Sequence, residues 1–75
     1  MTKDDVRKLL KNLSRNLTKI RKERNLTQAE VAFGAGMDYK NYQKIERKTP
    51  PDIQFSTLIK LLKFFNVSLE ELIRD

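Results

Sequence analysis

An all-α fold of five helices is predicted by three features of this chain. Apolar residues recur at three- and four-residue spacing through every long segment. No stretch alternates apolar and polar residues as a half-buried strand does. Helix-start signals recur, with Ser, Thr or Asp just ahead of an apolar run. The only strong breaker, Pro50-Pro51, falls between the third and fourth helices. At 75 residues the chain makes one domain, 1–75. A domain of this size buries only about 60% of its unfolded surface, so modest stability is expected.

The first helix starts after Thr2, a good N-cap, with Asp4 and Asp5 in the favourable first turn. Val6, Leu9, Leu10, Leu13, Leu17 and Ile20 share one side. It ends near Arg24, with Asn25 suited to a left-handed C′ position. Ser14 and Asn16 are weak helix formers, so the stretch Ser14–Asn16 is a possible break. The second helix has the clearest start, a Thr27/Glu30 capping box with Leu26 and Val31 as its staple. Gly34 lies inside it and weakens it by about 1 kcal/mol relative to alanine. Asp38 caps the third helix, with Met37 and Tyr42 as staple. The fourth, about Phe55–Phe65, lacks a good cap, since Gln54 holds that slot. Ser68 and Glu71 box the fifth, with Val67 and Leu72 as staple.

Composition narrows the function. The chain has no cysteine and no histidine, which removes disulfides, thiolate zinc sites and most nucleophile–base pairs. No buried acid cluster or Gly-rich phosphate loop is legible, so neither an enzyme, a metal site nor a cofactor is expected. No apolar run approaches the roughly 18 residues of a membrane span. The amino terminus lacks a secretory signal pattern, and the cytoplasm is the expected compartment. The net charge is +6 and uneven. Residues 1–48 hold thirteen Lys/Arg against six Asp/Glu, or +7, and residues 49–75 hold three against four, or −1. A basic front half suits a polyanion, and the rear half suits a structural role.

Residues 27–47 read as two short helices joined by a tight turn. Ala32 is small where two steeply crossing helices approach, and Gly36 supplies the positive φ of a short turn. At about 100° per residue, Tyr42 and Ile45 face inward. Lys40, Gln43, Lys44 and Arg47 face the other way, with Tyr39 and Asn41 on the flanks. Lysine can reach the O6/N7 edge of guanine, and glutamine the N6/N7 edge of adenine. A helix over 38–47 with this face is suited to the major groove of double-stranded DNA.

From about Leu13 to Leu72 the chain resembles the phage-repressor type of helix-turn-helix domain, the Cro/cI or XRE family. The words that carry the resemblance are LTKIRKERNLTQAEVA, the turn AGM, KIER, and STLIKLLKFFNVSLEEL. It implies a compact lambda-repressor-like bundle of five helices, with the helix-turn-helix at helices two and three. It implies that Tyr39, Lys40, Asn41 and Lys44 contact bases. Gln28, Gln43, Arg47 and Lys48 would contact the DNA backbone, and Gln28 would also brace the recognition helix. Arg21 and Glu46 would form a structural ion pair. The chain departs from the pattern in four places. Lys48 replaces a common glycine, the loop KTPPDI is one residue longer, Gly34 sits inside the second helix, and residues 1–12 extend beyond the usual start.

The family binds as a two-fold dimer on a palindrome, with half-sites about 34 Å apart. A homodimer is therefore expected, with a surface within residues 53–75 formed by Leu61, Phe64, Leu69 and Ile73. On the fourth helix, Phe55, Leu58, Ile59, Leu61, Leu62 and Phe65 form the inward stripe, and Phe64 lies outside it. Phe64 has two readings, a dimer contact or a contact under the N-terminal extension. The extension also has two, dimerisation through Leu9, Leu10 and Leu13 or enlargement of the core. The leading function is a sequence-specific regulator of transcription, such as a repressor. The alternative is a protein-interaction module, antitoxin-like or adaptor, that keeps the fold with only non-specific DNA affinity.

Overall fold

Five α-helices and no strand make up the structure, a computed structural model that describes residues 1–75. They are α1 (Lys3–Glu23), α2 (Gln28–Ala35), α3 (Tyr39–Ile45), α4 (Phe55–Phe65) and α5 (Leu69–Ile73). Nine buried residues form one core: Leu13, Leu17, Val31, Ala32, Tyr42, Ile45, Leu61, Phe65 and Leu72. Every helix contributes to it, so no helix is an appendage.

Local chemistry sets the boundaries. Thr2, Thr27 and Ser68 each accept a hydrogen bond from the backbone N–H three residues on, and the acid there accepts one from the cap's own N–H. Asp38 accepts from the Asn41 N–H at 3.3 Å. Gln54 makes no side-chain cap, as its residue type implies. The helix ends share a second device. Asn25, Gly36 and Asn66 are the only residues at positive φ, and they close α1, α2 and α4. The next residue, Leu26, Met37 or Val67, returns its N–H to the helix and packs on the core. The cap of the following helix comes next in α1–α2, α2–α3 and α4–α5. One three-residue grammar thus makes three sharp corners.

No break occurs at Ser14–Asn16, and α1 runs unbroken for 21 residues. The polar side chains there reach distant backbone rather than competing for their own. Ser14 Oγ donates to the Arg47 carbonyl at 2.8 Å. Asn16 Nδ2 donates to the Leu72 carbonyl at 2.6 Å, and Asn12 Nδ2 to that of Ile73 at 3.1 Å. Arg15 adds the Arg74 carbonyl at 2.9 Å, and Lys8 pairs with Asp75. The middle of α1 therefore serves as the cap of α5, whose final carbonyls have no helical partner. Leu13 is buried within the protein and offers nothing to a partner chain. Val6 stays 39% exposed, outside the core.

Two further expectations are corrected. Phe55 is 73% exposed and does not belong to the inward stripe of α4, because the first turn of that helix overhangs the core. Phe64 lies against α2, where a Cβ built on Gly34 would come within 2.2 Å of the ring. Its ring also meets Phe65 edge-on at 5.0 Å. Gly34 is thus the notch that lets α4 approach α2. Alanine is favoured over glycine by about 1 kcal/mol in a helix, while overpacking costs about 1–3 kcal/mol. Gly34→Ala is therefore expected to lose about 1 kcal/mol net in urea unfolding. In a Phe64→Ala background the same change should stabilise by up to about 1 kcal/mol. If the sign stays the same in both backgrounds, the notch has no steric role.

Candidate nucleic-acid interface

The candidate surface is assembled from the α2 start, α3 and the loop that leaves α3. Its rigidity comes from one ion pair. Arg21 Nε donates to Glu46 Oε2 at 2.7 Å, and Nη2 to Oε1 at 3.0 Å. This is the bidentate geometry that suits a guanidinium and a carboxylate. The third donor, Nη1, reaches the Leu26 carbonyl at 2.8 Å. Gln28 Nε2 donates to Glu46 Oε1 at 3.0 Å. One carboxylate at the end of α3 therefore holds α1 and the first residue of α2, and Arg21 itself holds the α1–α2 corner. The two side chains are only 12% and 3% exposed.

Electrostatics follow from that burial. Burial alone would raise the Glu46 pKa, but hydrogen bonding by Arg21 and Gln28 outweighs it and holds the carboxyl below its ordinary range. The hydrogen bond to Glu46 raises Arg21 against its own desolvation. Burial pushes the Tyr42 phenol well above its ordinary value. Its hydroxyl lies beside Glu46 without meeting hydrogen-bond geometry.

These shifts predict a loss of stability at both ends of the pH scale. Glu46 binds its proton more weakly folded than unfolded. Its contribution is full above about 4.5, its ordinary pKa, and is lost as pH falls below that. Asp5, bonded by the Thr2 backbone, and Asp75, bonded by Asn12, act in the same direction from the surface. Tyr42 holds its proton more tightly when folded, so stability also declines as pH rises past about 10. The midpoint of thermal unfolding measured against pH should fall on both sides. Glu46→Gln should shrink the acid limb, and an unchanged limb would remove Glu46 from the account.

With α3 anchored through Tyr42, Ile45 and Glu46, its other residues are presented outward. Lys40, Asn41, Gln43, Lys44, Arg47 and Lys48 are all exposed, and Tyr39 is 45% exposed. Gln43 Nε2 donates to the Tyr39 hydroxyl at 3.0 Å, so those two side chains share one orientation. Neither ion pair in the protein uses a cation of this stripe, so its charge is uncompensated. Asn41 and Lys44 also edge a cleft whose far wall is Pro51–Gln54. Asp52 in that wall marks where the basic surface ends.

The structure brings together the eight DNA-facing candidates, with Gln28 half-buried because it braces Glu46. It separates the four candidate dimer residues. Leu61 is fully buried and is removed from any surface. Phe64 is engaged with Gly34. Leu69 keeps 40% exposure and Ile73 is half-buried, one turn apart on α5. Sequence reasoning missed Ser14, which fixes the Arg47 carbonyl, and Lys60, whose Nζ reaches the Gly36 carbonyl at 3.4 Å. A polar residue on the apolar side of α1 was the signal for Ser14, and nothing signalled Lys60.

Searches of curated proteins and of solved structures give no match. Residues 17–72, from the middle of α1 into α5, match the helix-turn-helix family. With the fold and the outward basic helix, this match establishes that the chain belongs to the helix-turn-helix family of the Cro/cI (XRE) type, a family of DNA-binding regulatory domains.

Proposed function

We propose that the protein reads a specific sequence in double-stranded DNA with α3 in the major groove, and does so as a homodimer on a palindromic operator. The observation that carries this reading is the uncompensated stripe of Lys40, Gln43, Lys44 and Arg47 on a helix whose opposite face is locked. A rigid helix can hold donors to base edges in register, and free cations supply affinity by releasing counterions. Tyr39, Lys40, Asn41 and Lys44 contact bases. Gln28, Gln43, Arg47 and Lys48 hold phosphates and set the register. The dimer surface rests on Leu69 and Ile73. Such a protein acts in the cytoplasm, as a repressor where its operator overlaps a promoter.

Selection of bound sequences from a random duplex library, at physiological salt, tests the reading. A palindromic consensus is the expected result. No enrichment would favour the protein-interaction module with non-specific DNA affinity. Leu69→Asp should halve the mass seen in sedimentation without loss of helicity. An unchanged mass would move the dimer surface elsewhere.

A further inference from the structure

The half of α1 that precedes the family match carries cations against the loop that leaves α3. Arg7 and Lys11 line a cleft of about 300 Å³ with Thr49 and Pro50. Lys11 and Lys48 line the cleft beside it. Ser14 holds the two walls together through the Arg47 carbonyl. The sides of α1 are divided. Lys8, Asn12, Arg15 and Asn16 are committed to the C-terminal residues. Arg7 and Lys11, four residues apart, turn to the loop instead. Both are exposed, as is Lys48, and none of the three enters an ion pair.

We propose that Arg7, Lys11 and Lys48 form a second phosphate-binding groove, for the backbone of the duplex that flanks each half-site. The inference rests on the DNA-binding reading above, in which Lys48 already holds a phosphate, and extends it to Arg7 and Lys11, outside the matched family region. Two arguments select this occupant. The groove begins at the same loop, Arg47–Pro50, that ends the proposed recognition surface, so one strand can pass from one to the other. It is lined by three unpaired cations, and of the acids on the adjoining clefts Glu46 is already paired with Arg21, which leaves Asp52 beyond Arg7. From Ser14 to Arg7 the helix rises about 10 Å. That corresponds to roughly three phosphates of one strand. The groove therefore enlarges the footprint by about three base pairs on each side, and it carries no base contact.

The test measures binding of the full chain against salt, on two duplexes bearing the selected sequence. One ends at the half-sites, and the other extends about six base pairs beyond each. The variant is R7A/K11A, with R7K/K11R as the charge-preserving partner. On the long duplex R7A/K11A should flatten the salt slope by about two units per bound protomer and weaken binding on the order of tenfold at 0.1 M salt. R7K/K11R should bind as the parent does. On the short duplex R7A/K11A and the parent should converge. Equal slopes for R7A/K11A and parent on the long duplex would overturn the groove while leaving the recognition helix standing. An undiminished difference on the short duplex would overturn its flanking position. If the parent itself enriches no sequence and binds neither duplex, the DNA reading fails first and the groove with it.

Discussion

Arg21→Ala is expected to cost about 3–5 kcal/mol of folding stability, because it leaves the Glu46 carboxylate buried and unpaired. The side chain of Glu46 is only 3% exposed, so water cannot replace the lost donors. Arginine also donates to the Leu26 carbonyl, so the α1–α2 corner loses a bond at the same time. At about 4–8 °C per kcal/mol for a domain of this size, the midpoint of thermal unfolding falls by roughly 12–40 °C. Against a total stability near the low end of about 5–15 kcal/mol, much of the variant is unfolded at 37 °C. Removing both partners in Arg21→Ala/Glu46→Ala should be milder than Arg21→Ala alone, since no buried charge is stranded. Glu46→Gln should lie between, because it still accepts from Gln28. A loss below about 1 kcal/mol for Arg21→Ala would make the pair a surface contact of ordinary worth.

Lys44→Ala is expected to weaken binding to the selected sequence by about 1–3 kcal/mol and to relax preference at one base pair. Arg47→Ala is expected to weaken all sequences alike and to flatten the salt slope by about one unit. The difference follows from position. Lys44 lies on α3 itself, facing away from Tyr42 and Ile45, where a groove-bound helix meets base edges. Arg47 lies just past the helix, where the chain turns away beside Ser14. Both variants should keep the parent's unfolding midpoint, since both side chains are exposed and unpaired. Identical behaviour of the two across a randomised duplex library would erase the division between base-reading and phosphate-holding residues.

Helix starts and ends were legible because they are local. A threonine three residues before a glutamate states its own hydrogen bonds, and Thr27/Glu30 and Ser68/Glu71 formed as read. Gly36 took the left-handed corner that only a residue free of a Cβ enters without strain. The inward pair Tyr42 and Ile45 followed from helical period. What was not legible depended on distant chain. Ser14 and Asn16 look like helix breakers until their partners, 33 and 56 residues away, are in place. The apolar angle of α4 could not say that Phe55 overhangs the core or that Phe64 has Gly34 beneath it. Gly34 reads as a weak point in α2, and only the ring of Phe64 shows why a Cβ has no room there. The Arg21–Glu46 pair came from resemblance to a family rather than from the period of either helix. The third member of that site, Gln28, was foreseen as a brace but not as a donor to the same carboxylate.

The central claim is that α3 presents its outer face to base pairs. Amide NMR spectra of the ¹⁵N-labelled protein, titrated with its selected duplex, test this most directly. The largest shifts are expected at Tyr39, Lys40, Asn41, Gln43 and Lys44, with smaller ones at Gln28 and Arg47. Leu69 and Ile73 should remain at the shifts of the free protein. Shifts concentrated on α4 and α5, with α3 silent, would contradict the account and make this face a partner surface rather than a reader of DNA.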